Sequence, residues 1–219
     1  MISKKCLAGI LFKKRRGDVG PSGVIVTIMI LTGAIVAASG VVLYGTSLFQ
    51  GGSQQESISV NGLKLWVHGT DSKGLAWGAF AVRNTGDKVL SVDKITVRGQ
   101  DIPFAQWYPD TSVTSDLIQK PMNFTGWSGI SGQLNTYDPS STCSGETIQI
   151  DLDGSGGEDA VCAGAAAGPV GLDPGAAAII YFQLTNGTVS SVDGGAQSSV
   201  SVFAGKVGAP QSISIASKI

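Results

Sequence analysis

The stretch KKRRGDVGPSGVIV, residues 13–26, packs four cations into Lys13–Arg16, passes through a Gly and an acid, and then turns wholly apolar. From Val19 to Gln55 the chain carries no charged side chain. The apolar run from Val24 to Phe49 covers 26 residues. As a helix it would rise about 39 Å, enough to clear a hydrocarbon layer of about 30 Å. A buried core helix is the other reading of such a run, but the length is unusual in a domain this small. By the positive-inside rule the cations hold the N-terminus in the cytoplasm and send everything after Gln50 outside. An ordinary secretory signal has an apolar stretch of about 7–15 residues and a small-residue cleavage site, neither of which is found here. A plain signal anchor stays open.

Charge is unevenly spread. Of 15 cations in the 219 residues, six precede Asp18; the remaining nine face 16 acids, so the overall net charge of −1 hides a body at −7. A basic head on an acidic body argues against nucleic acid as a partner and fits a targeting segment on a secreted domain. The length suits one ordinary domain.

Within the apolar span, Gly33, Ala37 and Gly40 fall at i, i+4 and i+7, beside a second stripe of Ala34, Ala38, Val41 and Gly45. Small residues at this spacing let helices approach closely in lipid, where packing rather than the hydrophobic effect drives association. Gly and Ala are also simply common in membrane helices, so the stripe alone leaves both readings standing.

KKRRG, then DVGPSG, then VIVTIMILTGAIVAASGVV together resemble the class III leader and N-terminal helix of archaellins and other archaeal type IV pilin-like proteins. The resemblance covers roughly the first 50 residues. It implies that a prepilin-type signal peptidase cuts between Gly17 and Asp18. It further implies that the helix sits first in the membrane and then bundles with copies of itself in the core of an extracellular surface filament. Gly20 at the third mature position fits archaellins, whereas Asp18 and Pro21 depart from them, which leaves archaellum and adhesive pilus both open. The rival reading is a membrane-anchored β-sandwich binding module of the cell envelope, similar to stator components of the archaellar motor.

After a flexible hinge at Gly51–Gln55 the sequence reads as strands. SISVNGLKLWV (57–67) alternates around a break at Gly62 that suggests a bulge. LAWGAFAVR (75–83) and VLSVDKITVR (89–98) look like a hairpin joined by Asn84–Asp87. ETIQIDLD, AAIIYFQLT, SVSVFAG and SISIAS supply four more strands. The expected fold is an all-β sandwich, immunoglobulin-like, preceded by one long apolar helix. Two segments, 82–99 and 172–187, also look like the sandwich strands of archaeal filament subunits. The chain thus divides into a leader at 1–17, a helix at 18–50, a hinge at 51–55 and a sandwich at 56–219. Trp66 and Trp77, on strands, are expected to pack between the sheets. Trp107 and Trp127 fall in the loop-rich region 100–138, where either inward packing or an exposed contact surface is open.

Cys6 lies in the leader, which leaves Cys143 and Cys162 as an expected extracytoplasmic disulfide. Between them runs DLDGSGGED, in which Asp151, Asp153 and Ser155 match the opening of a calcium loop. The twelfth position is Cys162 instead of the bidentate Glu, so Glu158 or Asp159 would have to substitute; a solvated acidic turn is the alternative. No cofactor is required, and Ca²⁺ is the one candidate ion. Asn123 and Asn186 head glycosylation sequons. His68 is the single histidine, and no nucleophile elbow, zinc motif or phosphate loop occurs, so no catalytic activity is expected.

Overall fold

A computed structural model describes residues 21–52, 55–71, 73–127, 134, 148–152 and 160–219. The chain forms two compact units that divide between Ser53 and Gln54. The leader, with the proposed cut at Gly17–Asp18, lies outside the described residues.

The first unit holds α1, Pro21–Gly52. Pro21 stands at the first helical position, where its fixed φ suits a helix and its missing N–H is one that would have no intrahelical partner anyway. The hydroxyls scattered through the helix bond its own carbonyls. Thr27 Oγ1 donates to Val24 O at 2.8 Å, and Ser47 Oγ to Tyr44 O at 2.8 Å. Such back-bonds hide polar groups that would be costly in an apolar surrounding. Of the expected hinge at 51–55, residues 53 and 54 lie outside the described residues. Gly51 and Gly52 belong to α1, and Gln55 is already held by the sandwich through Asp87 N–H at 3.2 Å.

The second unit is a β-sandwich, as expected. Its strands are β1 (Ile58–His68), β2 (Ala76–Asn84), β3 (Leu90–Val97), β4 (Gln100–Asp101), β5 (Trp107–Asp110), β6 (Ile148–Asp151), β7 (Ala160–Ala163), β8 (Val170–Leu172), β9 (Ala177–Gln183), β10 (Gln197–Ala204) and β11 (Val207–Lys218). One sheet runs β1-β2-β9-β5 and the other β4-β3-β10-β11, with β8 on the opposite end of β3 from β4. This is the strand order of immunoglobulin domains. β11 belongs to both sheets. From Val207 to Ser214 it pairs antiparallel with β10, and from Ile215 to Lys218 it runs parallel to β1. The bulge expected at Gly62 is present: the β1–β2 register shifts between Asn61 and Lys64, and Gly62 has φ +65°.

Between the sheets pack Leu65, Val67, Phe80, Val82, Ile95, Val97, Ile180, Phe182, Val200 and Val202, all buried. A second core lies on the far side of the first sheet. There Trp77, Ala79, Ala81, Ile179 and Tyr181 are covered by Leu117, Ile118, Met122 and the β6–β7 hairpin with Ile148, Ile150 and Val161. The Trp expectations are therefore corrected. Trp66 and Trp77 are buried, but in this outer core and not between the sheets. Trp107 is the inter-sheet one, fully buried on β5 with Nε1 donating to Ile102 O at 3.0 Å.

The expected hairpin across Asn84–Asp87 is also corrected. β2 and β3 do not pair; the loop carries the chain from one sheet to the other. Both strands already have two neighbours, so neither has an edge left for the other. Asn84 holds this crossing while fully buried. Its Nδ2 donates to Lys88 O at 2.6 Å and Leu172 O at 3.0 Å, and its Oδ1 accepts Gly86 N–H at 3.0 Å. At the other pole Arg98 and Gly99, φ +52° and +78°, make the tight β3–β4 turn. Arg98 grips Asp193 through both terminal nitrogens, at 3.1 and 2.9 Å. That guanidinium, aided by the Ser190 N–H and hydroxyl, holds the Asp193 carboxyl well below the ordinary carboxylate range.

Two outcomes are expected. Asn84→Ala strands two buried carbonyls and an N–H, and should lower unfolding stability by about 2–4 kcal/mol in chemical denaturation. A carboxyl depressed in the folded state stabilises above its unfolded value, about 3.9, and that stability is lost as pH falls toward the folded value. Melting temperatures measured from pH 5 down to pH 2 should therefore fall less steeply for Asp193→Asn than for the parent, while at pH 7 the variant should melt lower.

Candidate functional site

α1 is apolar around its whole circumference. Ile, Val, Leu and Met side chains from Val24 to Leu43 stay more than half exposed within the chain, among them Val36 at 70% and Leu43 at 71%. Gly23–Ser47 is long and apolar enough to cross a membrane, as a membrane anchor or a signal sequence is. Gly33 and Gly40 have open space where a Cβ would stand, with no atom of the chain within 4 Å. With Ala37, also exposed, they form the small-residue strip read from the sequence. An exposed apolar surface of this extent marks a site of contact with lipid or protein.

In the sandwich the candidates separate. Cys162 on β7 is disulfide-bonded, and its expected partner Cys143 lies outside the described residues. Asp151 ends β6, opposite Ala160, whereas Asp153, Ser155 and Asp159 lie outside the described residues. Among the described residues no three potential metal ligands converge. The nearest well-defined acid, Asp110, is spoken for. It accepts Ser112 N–H at 2.8 Å, the Ser112 hydroxyl at 2.6 Å and Cys162 N–H at 2.8 Å, and so ties β7 to the end of β5.

The two sequons differ in access. Asn186 is exposed on a turn at Gly187, φ +86°, while Thr188 is buried with its hydroxyl on Gln100 Oε1 at 2.9 Å. Asn123 is half-buried, and its carbonyl accepts the Tyr181 hydroxyl at 3.1 Å. Burial pushes that phenol far above its ordinary range, so Tyr181 is a neutral donor at any working pH. His68 caps the turn after β1: its Nδ1 accepts the N–H groups of Thr70 at 3.3 Å and Asp71 at 3.1 Å. Its ring lies 5.1 Å from Trp127, whose Nε1 donates to Lys218 O at 3.0 Å. Both rings are half-buried, and their polar atoms brace the ends of β1 and β11.

One feature escaped the sequence reading. The outward row of β2 runs Trp77, Ala79, Ala81 and then Arg83, and Arg83 is exposed where the cover of the outer core ends. It lines two adjoining clefts of about 420 and 410 Å³, which share Arg83, Ser115 and Ile118. The available signal was a lone Arg closing an otherwise apolar row.

Compared with known proteins, the chain matches no family model and no curated protein sequence.

The disulfide reading makes a quantitative expectation. Cys143 and Cys162 would close a loop of about 20 residues, worth about 3 kcal/mol on the chain-entropy model. Reduction should lower the melting temperature accordingly, in the full chain held in detergent. Added Ca²⁺ should raise it only if Asp151 and Asp153 are ligands, since an ion stabilises what it binds. An unchanged Ca²⁺ response in Asp151→Ala and Asp153→Ala would remove the metal site.

Proposed function

We propose that the chain is a structural subunit of an archaeal type IV pilus-like surface filament, archaellum or adhesive pilus. The observation that carries this reading is α1: an apolar helix bare on every side, directly behind the basic-Gly-polar order of residues 13–23. In this reading a prepilin-type signal peptidase removes the leader after Gly17, and α1 holds the subunit in the membrane until assembly. Copies of α1 then cover one another in the filament core, and the sandwich faces outward. The disulfide and the exposed Asn186 suit an extracytoplasmic domain.

A membrane-anchored binding module would use α1 differently, because lipid accepts any apolar contour and a helix bundle does not. Gly33→Leu, Ala37→Leu and Gly40→Leu separate the two. At Gly33 and Gly40 an added Cβ meets nothing within 4 Å inside the chain, so a defect there arises between copies. Overpacking a close contact costs about 1–3 kcal/mol, repeated in every subunit. Expression, leader removal and membrane insertion should stay normal while filaments recovered by shearing disappear, with Val42→Leu as the unaffected control. If all three Leu variants yield filaments as the control does, α1 is an anchor and the subunit reading fails.

A further inference from the structure

We propose that the paired cleft around Arg83 binds a carboxylated sugar, a uronate unit of an acidic glycan, with Arg83 as its carboxylate ligand. Two arginines occur in the sandwich, and they are differently engaged. Arg98 spends both terminal nitrogens on Asp193. Arg83 donates only Nε, to Gly175 O at 3.3 Å, which steadies the guanidinium and leaves its two terminal amino groups without a described protein partner. A guanidinium held in this way presents the fork that takes a carboxylate bidentately. In a body of net charge −7, neither cleft has an Asp or Glu among the described residues of its lining.

The rest of the lining selects a sugar over a bare anion. One cleft sets the hydroxyls of Thr111 and Thr114 beside apolar Val113 and Ala177. The other sets the amides of Asn61 and Gln119 beside Pro121. Ile118 and Ser115 stand at the junction. A pyranose matches this alternation, having a C–H face for apolar contact and a rim of hydroxyls for hydrogen bonds. Each cleft lies within the ~300–1,000 Å³ range of small-molecule sites. Two joined clefts fit consecutive units of a chain, with the acid of one unit at Arg83. This inference is independent of filament assembly, since every residue in it belongs to the sandwich.

The test titrates the full chain in detergent micelles with trigalacturonate, using maltotriose as the neutral control and acetate and inorganic phosphate as bare anions. Trigalacturonate should bind at least about tenfold tighter than any of the three, and the affinity should fall with added salt. Arg83→Gln should weaken it at least about tenfold. Ser115→Asp, an exposed change that puts a like charge beside the ligand, should do the same and decides the matter if Arg83→Gln does not fold. Parent-like binding by the folded variants, or no binding of trigalacturonate at ~10 mM, overturns the proposal. Equal binding of maltotriose overturns the role of Arg83, and equal binding of acetate or phosphate overturns the sugar.

Discussion

The antiparallel ladder between β2 and β9 joins Trp77–Arg83 to Gln183–Ala177, and both of its faces are apolar. Phe80, Val82, Ile180 and Phe182 point toward the second sheet, while Trp77, Ala79, Ala81, Ile179 and Tyr181 point away from it. Burying one large apolar side chain is worth about 1.5–3 kcal/mol, so an uncovered outer face would forfeit a large share of a domain's net stability. The long segment between β5 and β9 therefore belongs to the fold. It supplies the lid residues Leu117, Ile118 and Met122 and the β6–β7 hairpin. Gly78 belongs to the same solution: a Cβ there would stand 2.3 Å from the Phe182 ring and 2.7 Å from Leu65.

A second constraint acts where the two sheets meet. Because β11 leaves β10 for β1 partway along, it joins the two sheets along one edge. Side chains add further ties: Gln211 Nε2 donates to Val60 O at 2.8 Å, and Glu56 accepts Lys206 N–H at 3.2 Å. The β2–β3 crossing adds Thr85 and Gly86 N–H groups on Ser57 O, at 2.9 and 3.2 Å. Gly86 is required by this closeness, as a Cβ would lie 2.3 Å from Gln55 O. Gln55 and Ser57 are thus tied to the β2–β3 crossing.

What was legible in the sequence follows from which forces are local. The apolar run of α1, the alternation of β1, β3 and β10 and the unbroken apolar run of β9 are written in neighbouring residues, and the sandwich class followed from them. The partners of those strands are not. The 75–83 run alternates like a half-exposed strand only if Gly78, Ala79 and Ala81 are read as filler, whereas their smallness accommodates rings from both sides. Trp107 stayed open between two readings for the same reason: β5 has four residues, too few to show a period, and its burial comes from pairing with Phe182 across the sheet. The turn residues 84–87 carry the chemistry of a tight loop but not the destination of the chain. Arg83 was hidden because a single charge on a strand normally marks a solvated face. Its meaning depends on segments about 30 and 90 residues away, which line the same clefts.

Among the described residues the sandwich leaves few large apolar side chains exposed, and those are scattered: Val89, Val192, Phe203 and Ile219. Among the described residues the broad apolar surface belongs to α1. For an association driven by burial, α1 is the surface on offer. Burial alone, however, does not distinguish lipid from a bundle of helices, since both offer hydrocarbon. The distinction lies in shape. Hydrocarbon chains flow around any contour, so a strip of Gly33, Ala37 and Gly40 would matter only where another rigid surface fills the hollow. Lateral packing of α1 is therefore the step at which an anchor and a filament subunit part, and the back-bonded hydroxyls of Thr27, Thr32 and Ser39 leave that step to van der Waals fit.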